Sequence, residues 1–357
     1  MKLGLITQLN YVNYGNRLQN WATDLLLKQL GHEVVSLVYS PARALIFLNE
    51  IMKLFPATPL GKRMRNFRKF TKENIKTQYI NNVSVPRLKE LFGKGGEREI
   101  DCLVIGSDQT WNPKYIVNSN KNFGRFVEKN KRLSYATSFG ISTIPQKFVR
   151  DFRLGLNEIK NISVRETSGQ AIVKRLTGKT CPVLLDPSMM LSKDTWATAT
   201  QKIDIAPKEK YIFCYFLQLN TEYRKWVKKL AQKHNLKIVD INKYFNKYFS
   251  AGPLEFVSLI KNATLVCTNS FHGHAFSICL EKPFVSFPST KSTNSRITTI
   301  LKLTGLEHRN YQTIKPEEIF DLNYETITPT IEKEREKARN YLNSCLEEIK
   351  DNADAGN

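Results

Sequence analysis

Apolar segments of strand and helix length alternate along this chain, and that alternation constrains its fold more than any other feature. Residues 3–7 form a short β-prone run, residues 18–30 have helical apolar spacing, and residues 34–39 form a second β-prone run. Gly31 lies where a helix C-cap is expected. This strand–helix–strand order predicts a parallel sheet whose neighbouring strands are connected by helices.

Two such series predict two domains, because 357 residues exceed what one core usually organises. The remaining strands of the first series are expected at residues 102–106, 133–138, 162–165 and 183–185, and those of the second at 211–217, 237–241, 265–267 and 284–287. We therefore predict an α/β chain of two Rossmann-like doubly wound domains, residues 1–190 and 191–325. Residues 187–207 are expected to form a linker with one short helix. Residues 326–357 are expected to form a helix that packs back and a tail that is disordered from residue 351.

The cysteines and the apolar runs bear on the compartment. Six cysteines lack any CxxC spacing and lie mostly in apolar runs, so we expect core residues with free thiols. No run of about 18 apolar residues occurs, and Met1 and Lys2 lead directly into the first predicted strand. We therefore expect neither a spanning helix nor a signal peptide, and a cytoplasmic protein.

The net charge of +21 predicts an anionic partner, which could be nucleic acid, an acidic membrane surface or a phosphorylated substrate. Residues 41–80 contain nine cations and two carboxylates, beside apolar runs at 44–48 and 51–55. This pairing suits a helix that lies on the inner face of the cell membrane, although a solvated helical insert packed on its domain has the same pattern. The sequence contains no nucleic-acid module, so no nucleic-acid partner is expected.

The segment at residues 265–280 predicts a strand, a turn and a helix whose amino end binds an anion. Thr268 to Ser270 supply capping oxygens, Gly273 permits close backbone approach, and the free N–H groups of a helix start favour phosphate or carboxylate. His272 is placed to exchange a proton with that ligand, and the alternative is a packing histidine. We predict no metal, because His272 and His274 at i and i+2 lack nearby further ligands.

Residues 268–273 (TNSFHG), followed by KPFV at 282–285, resemble the C-terminal signature of the polysaccharide pyruvyl transferase family. Further segments resemble the family in the same order, spanning about residues 1 to 310: NYGNRLQ at 13–19, GSDQTWNP at 106–113, YATSFG at 135–140, SVRE at 163–166 and LDPS at 185–188. The resemblance implies a glycosyltransferase-B-like architecture, with both domains facing across a cleft. Each motif follows a predicted strand, so the motifs are expected to converge on that cleft.

The reaction implied by the resemblance is transfer of the pyruvyl group of phosphoenolpyruvate to two hydroxyls of one sugar. The product is a cyclic ketal on a cell-surface polysaccharide, such as a capsule or exopolysaccharide, or on its lipid-linked precursor, and phosphate is released. Phosphoenolpyruvate is the donor substrate, and no cofactor is expected. The acceptor sugar is free or lipid-linked.

The donor carries a phosphate and a carboxylate, which require bidentate cations or helix-end N–H groups. Arg165 is the expected clamp, and its alternative is an exposed arginine paired with Glu166. Some family members carry Arg where Ser270 stands, so a second cation must come from Arg296 or Lys282, the nearest in sequence. The expected donor loop comprises Ser270, Phe271, His272, Gly273 and His274.

One acid and one base are needed to protonate the enol methylene and to deprotonate the acceptor. His272 is the candidate acid or phosphate partner, and Asp108 is the candidate that orients or deprotonates a hydroxyl. Asp186 could act likewise, or could simply form an Asx-turn before Pro187. The other residues expected to bind the acceptor are Asn13, Tyr14, Gly15, Asn16, Gln19, Gln109, Trp111, Asn112 and Ser138. Trp111 would otherwise be a core residue.

Two other functions are compatible with the sequence. A nucleotide-sugar glycosyltransferase of the same fold would hold a diphosphate at the helix that contains Gly273. A non-catalytic scaffold for glycan assembly would use the basic segment at residues 41–80 as its dock.

Overall fold

The computed structural model describes most of the chain, namely residues 1–9, 12–38, 55–80, 83–116, 119–218, 220–289 and 294–354. The chain divides into two compact units. Unit 1 comprises residues 1–47, 74–190 and 332–357, and unit 2 comprises residues 48–73 and 191–331. Residues 48–73, which the sequence placed in the first domain, are thus part of unit 2.

Unit 1 contains a parallel sheet of five strands. They are β1 (Lys2–Ile6), β2 (Glu33–Val38), β3 (Thr77–Tyr79), β4 (Cys102–Ile105) and β5 (Arg132–Ser134). Their order is β3-β2-β1-β4-β5, which is a Rossmann order. Strands were predicted at all of these places except β3, which is short and only partly buried.

Two predicted strands of unit 1 are wrong as strands. Residues 162–165 and 183–185 contribute only isolated bridges, from Thr137 to Val164 and from Val164 to Val183. The strand predicted at 133–138 ends at Ser134, because Ala136 has a φ of 45° and turns the backbone out of the sheet.

Unit 2 contains a parallel sheet of four strands, all of which were predicted. They are β6 (Tyr211–Tyr215), β7 (Lys237–Asp240), β8 (Leu265–Thr268) and β9 (Phe284–Ser286), in the order β7-β6-β8-β9. Aromatic rings cover one side of this sheet, where Phe216 packs 5.1 Å from Phe287 and Phe287 stacks 4.8 Å from Tyr311.

The described helices have the following bounds. They are α1 (Tyr14–Gln29), α2 (Pro59–Asn74), α3 (Val85–Phe92), α4 (Ser119–Asn122), α5 (Gln146–Asn157), α6 (Thr167–Thr177), α7 (Pro187–Met190), α8 (Lys193–Ala199), α9 (Thr221–Lys233), α10 (Pro253–Lys261), α11 (Phe271–Cys279), α12 (Asn294–Thr304) and α13 (Ile327–Asp354). The predicted linker at 187–207 contains two short helices, α7 and α8, rather than one.

The last helix buries the face that the sequence predicted. Ile331, Ala338, Leu342, Cys345 and Ile349 are all buried. Residues 351–354, predicted to be disordered, continue α13, and residues 355–357 lie outside the described residues. All six cysteines are free and buried, which confirms that they are core residues.

Each sheet has a switch point where strand order reverses, and ligands of doubly wound sheets bind there at the carboxyl ends of the strands. In unit 1 the switch point lies between β1 and β4, and in unit 2 between β6 and β8. The loops that follow these four strands therefore carry the candidate functional residues.

Candidate functional site

Asp108 lies directly after β4, at the switch point of unit 1. It has a φ of 57°, a left-handed conformation that aspartate tolerates better than most residues. Its carbonyl oxygen accepts hydrogen bonds from the backbone N–H of Thr110 and of Ser138, both at 2.8 Å. The loop backbone thus holds a buried carboxylate in an uncommon geometry, of the kind that clusters at functional sites.

The carboxylate of Asp108 joins groups from its own loop and from two other segments. Nδ2 of Asn16, on the first turn of α1, donates to Oδ2 of Asp108. The backbone N–H of Gln109 donates to Oδ1 at 2.9 Å, and Nη2 of Arg165 donates to the same oxygen at 3.0 Å. The sequence predicted Asn16, Asp108 and Arg165 as site residues, and the structure brings all three together.

Asp186 completes this cluster from a fourth segment. Its Oδ2 accepts from Nη1 of Arg165 and, at 3.1 Å, from the hydroxyl of Ser107. Its Oδ1 accepts from the backbone N–H of Ser188 at 2.9 Å, which confirms the predicted Asx-turn. Asp186 therefore has both a turn-forming oxygen and an oxygen that pairs with Arg165.

Arg165 is buried between two carboxylates and is not the exposed arginine of the alternative interpretation. Burial alone would lower the pKa of its guanidinium, but the negative charges of Asp186, Asp108 and Glu166 raise it above its ordinary value. The cation is thus fixed and already neutralised by its own chain. That Arg165 binds the donor stays a prediction. Its contacts favour a different role, in which Arg165 positions the carboxylate of Asp108.

Glu166 is a residue of this region that sequence reasoning did not place in the site. It is fully buried, and its Oε1 accepts from the Ser138 hydroxyl at 3.1 Å, the Phe139 N–H at 2.9 Å and the Gly140 N–H at 3.1 Å. The carboxylate therefore holds the loop that follows Thr137. The sequence did contain a signal for Glu166, because it directly follows Arg165 in the family-like SVRE motif.

The prediction for Trp111 is wrong, because this residue was expected to offer an aromatic platform to a sugar and is buried instead. Its side chain is 0% exposed and packs 5.4 Å from Phe139 and 5.7 Å from Phe123, and its indole N–H donates to the carbonyl of Asn122 at 3.3 Å. No face of the ring is open to a ligand, so Trp111 is a core residue.

The other residues expected to bind the acceptor differ in exposure. Four of them are buried, namely Tyr14, Gly15, Gln19 and Ser138. Nε2 of Gln19 donates to Thr7 Oγ1 at 2.8 Å. Gln109 is partly exposed, and its Oε1 accepts from Nδ2 of Asn112 at 2.7 Å. Asn13 is exposed and caps α1 by accepting from the backbone N–H of Asn16. Near the switch point, Asn13 and Gln109 are the members of this set with surface left for a ligand.

The switch point of unit 2 carries the loop from β8 to α11, as predicted. Thr268 Oγ1 donates to the carbonyl of Tyr215 at 2.7 Å and accepts from the N–H of Ser270 at 3.0 Å. Oδ1 of Asn269 accepts from the N–H of Leu217, which follows β6, at 2.8 Å. These hydrogen bonds hold the chain after β6 against the chain after β8, within unit 2.

His272 lies in the first turn of α11, where helix N–H groups lack intrahelical partners and the helix dipole favours an anion. Its ring is buried and lies 5.2 Å from the ring of Phe271 in an edge-on contact. The guanidinium of Arg296, near the start of α12, lies 5.8 Å from the centroid of Phe271. Of the two predicted second cations, Arg296 is therefore the one beside this helix start.

Gly273 permits a close approach, as expected, and the approach is between α11 and β8. A Cβ at this position would lie 2.2 Å from Oγ1 and 2.8 Å from Cβ of Thr268. Gly273 therefore allows α11 to pack closely on β8, and this contact fixes the direction of the helix start.

His274, expected in the donor loop, is corrected to a structural residue. It is fully buried, with Nδ1 at 2.7 Å from the carbonyl of Ser270 and Nε2 at 2.8 Å from the hydroxyl of Ser286. Because a carbonyl only accepts, Nδ1 carries the proton and Nε2 accepts from the hydroxyl. Both ring nitrogens are thus used within unit 2. Burial lowers the pKa of His274 from 6.5 to about 4, so the ring is neutral near pH 7.

This histidine predicts acid sensitivity. The unfolded chain binds the proton near pH 6.5 and the native chain only near pH 4, so the free energy of unfolding should decrease by up to about 3 kcal/mol as pH falls through this window. Urea unfolding at a series of pH values measures this. His274→Gln should flatten that slope, whereas His308→Gln, at an exposed position, should not. Equal slopes in the parent and His274→Gln would contradict the prediction.

Lys282 is also corrected, because it lies at the wrong end of the sheet. It precedes β9, and Phe284 pairs with Val266 in parallel register, so Lys282 lies at the amino edge. His272 follows β8 and lies at the carboxyl edge. Burial and the neighbouring charges of Lys193 and Lys261 lower the pKa of Lys282.

The described residues contain neither a cluster suited to a metal ion nor a helix suited to span a membrane. Among these residues no three His, Cys, Asp or Glu side chains gather in a way that could hold a metal ion. No helix among them combines the length and the apolar character needed to cross a bilayer.

Comparison with known families identifies the chain. The model of the family described as polysaccharide pyruvyl transferase matches residues 13–291. This chain belongs to that family. The match covers the loops after β4 and β8 and the segment between α5 and α6, and with them Asp108, His272 and Arg165. No curated protein matches the sequence of this pyruvyl transferase family member.

Solved structures show the fold of this family member. A UDP-N-acetylglucosamine 2-epimerase matches it with a TM-score of 0.56 and 12% identity, over 97% of this chain and 95% of that chain. The Arabidopsis thaliana protein UGT89C1 complexed with UDP matches with a TM-score of 0.52 and 11% identity, over 98% and 99%. At such low identity the likeness concerns the fold alone. The predicted fold class, α/β with two Rossmann-like domains of the glycosyltransferase-B type, is confirmed.

Proposed function

We propose that this polysaccharide pyruvyl transferase moves the pyruvyl group of phosphoenolpyruvate onto two hydroxyls of one sugar, forming a cyclic ketal and releasing phosphate. The acceptor belongs to a cell-surface polysaccharide or its lipid-linked precursor. The observation that carries the proposal is the start of α11, where a helix amino end, His272 and Arg296 lie together within a chain of this family. A helix start and a guanidinium suit a small donor with a phosphate and a carboxylate.

On the donor, the first-turn N–H groups of α11 bind one anionic group and Arg296 binds the other. His272 lies in the same turn and serves as the acid that protonates the methylene carbon or as the partner of the phosphate. The donor carbon then takes two sugar oxygens, its bond to the phosphate oxygen breaks, and phosphate leaves. One hydroxyl proton balances the new C–H bond, and the other leaves with phosphate.

On the acceptor, Asp108 orients or deprotonates a hydroxyl, and Asn16 and Arg165 hold its carboxylate in place. Arg165 thereby places a cation 3.0 Å from the carboxylate, which offsets part of the cost of burying that group. A general base contributes typically about a hundredfold to ten-thousandfold in rate.

A second candidate is a nucleotide-sugar glycosyltransferase. The fold of this chain matches that of UGT89C1, which was solved with UDP, and the start of α11 would then hold a diphosphate.

The experiment supplies phosphoenolpyruvate or a UDP-sugar with galactosides, mannosides and N-acetylhexosamines, free and lipid-linked, and follows the released products. We expect acceptor-dependent release of inorganic phosphate with phosphoenolpyruvate, and no release of UDP. A variant with Arg296→Gln should raise the KM for phosphoenolpyruvate at least about tenfold, because a charge-assisted hydrogen bond is lost, and should leave the KM for the acceptor unchanged. Release of UDP instead would support the glycosyltransferase, and release of neither product by any pair would support a scaffold.

A further inference from the structure

An exposed aromatic tip follows β7 in unit 2. The ring of Phe245 is 91% exposed, and that of Tyr244 is 41% exposed. Tyr244 contacts Phe245 at 5.1 Å and Phe249 at 5.0 Å between ring centroids, so the tip rests on an aromatic base. The two exposed rings together offer apolar surface, whose burial in another apolar phase would be favourable.

A row of cations lies on the neighbouring helix α2. Lys62, Arg65 and Lys69 are exposed and occur at i, i+3 and i+7, which places them on one side of the helix. Met64, Phe67 and Phe70 are buried and anchor another side. The whole helix contains six cations and one carboxylate.

Contacts within unit 2 fix this helix beside the aromatic tip. Nδ2 of Asn66 donates to the carbonyl of Ser250 at 2.8 Å. Arg63 is buried, and its guanidinium lies 4.8 Å from the centroid of Phe249 and 3.5 Å from Oδ1 of Asn242. Arg63 is thus a packing residue, in contrast to the solvent-facing cations of the same helix. The exposed cations of α2 and the exposed rings of the neighbouring segment are together called the basic aromatic surface: Lys62, Arg65, Lys69, Tyr244 and Phe245.

We propose that the basic aromatic surface docks on an anionic lipid bilayer. Phe245 and Tyr244 insert at the level of the headgroups, and the three cations contact lipid phosphates. Charge complementarity selects this occupant, because the segment at residues 242–250 adds Lys243 and Lys247 and contains no carboxylate. The two apolar runs in which the sequence predicted membrane contact, residues 44–48 and 51–55, lie outside the described residues except for Phe55.

The surface lies at the same sheet edge as His272. The tip follows β7, and His272 follows β8, two strands away and hence about 10 Å along the sheet. Asn242 Nδ2 donates to the carbonyl of Phe216 at 2.8 Å, and the N–H of Leu217 donates to Asn269. Docking would therefore turn this edge toward a lipid-linked acceptor. The docking inference does not rest on the proposed reaction, because vesicle binding is measured without turnover.

The test compares cosedimentation of the full chain with phosphatidylcholine vesicles and with phosphatidylcholine vesicles that contain phosphatidylglycerol. We expect binding to the anionic vesicles alone, weakening as salt rises because surface attraction is screened within about 10 Å at 0.1 M. The triple variant Lys62→Gln, Arg65→Gln, Lys69→Gln should bind on the order of a hundredfold more weakly, because each cation contributes about fivefold. Phe245→Ser should weaken binding about tenfold through lost apolar burial.

Matched controls separate docking from net charge. Lys225, Lys228 and Lys229 are exposed on α9 of the same unit, and their replacement by Gln removes the same charge. Tyr79→Ser removes an exposed ring from unit 1. Both controls should bind like the parent. The proposal is overturned if the parent does not bind, if it binds both vesicles equally, or if the triple variant and its control lose the same affinity.

Discussion

Replacing His272 by glutamine is expected to lower phosphate release from phosphoenolpyruvate at least about a hundredfold, since loss of a general acid typically costs that much or more. Glutamine keeps a polar side chain of similar size in this buried place but cannot donate a proton as an acid. The rate is measured with saturating donor and acceptor, and circular dichroism with urea unfolding establishes that the variant is folded.

The matched control is His308→Gln, an exposed histidine of the same unit, which should keep the parent rate. His272→Asn provides a second variant should glutamine pack poorly. A folded His272→Gln variant whose rate stays within about threefold of the parent would remove His272 from the chemistry.

Arg165→Met should be the most destabilising of the substitutions considered, by about 3–5 kcal/mol in the free energy of unfolding. The change leaves the carboxylates of Asp108 and Asp186 buried without their shared cation. The double variant Arg165→Met, Asp186→Asn should be more stable than Arg165→Met alone, because one of the uncompensated charges is gone. Urea unfolding of all variants at one pH measures both effects.

The control is Arg87→Met, which removes an exposed arginine paired with Glu90 and should cost less than about 1 kcal/mol. A loss below about 1 kcal/mol for Arg165→Met would contradict the buried-pair account.

Arg165→Lys, which keeps a charge but loses the planar fork, tests the role of Arg165 in turnover. If Arg165 positions the carboxylate of Asp108, the Arg165→Lys variant should have a lower kcat and an unchanged KM for phosphoenolpyruvate. The donor clamp expected from the sequence predicts a raised KM instead.

The sequence predicted most strands because each is a short apolar run that local composition reveals, as in β4 (CLVI) and β8 (LVCT). It failed at residues 162–165 (ISVR) and 183–185 (VLL), which are also short runs with apolar residues. Whether such a run joins a ladder depends on a neighbour distant in sequence, and here only single bridges form. The assignment of α2 to unit 2 likewise depends on its contacts with residues 242–250, which no local pattern contains.

The site was predictable where a residue follows a strand, since the carboxyl ends of parallel strands meet at one edge. Asn16 and Asp108 were found this way, whereas Arg165 was predicted from its place in the family-like SVRE motif. The link from Arg165 to Asp186 was not, because it joins two loops through side chains. For Trp111, an aromatic residue in a loop motif gave no sign of its burial.

Two corrections had signals in the sequence. His272 and His274 lie two residues apart, about 200° around a helix, so both could not face one ligand. Lys282 precedes a predicted strand, which places it at the amino edge. Applying helix and sheet geometry to the motif would have corrected both.

The measurement that tests the central claim most directly is mass spectrometry of the acceptor product formed from phosphoenolpyruvate in heavy water. The account predicts a glycan that gains pyruvate less one water, carries one deuterium in the new methyl group, and forms with an equal amount of phosphate. A glycan that gains a sugar residue from a UDP-sugar, with no pyruvyl product from phosphoenolpyruvate under the same conditions, would contradict it.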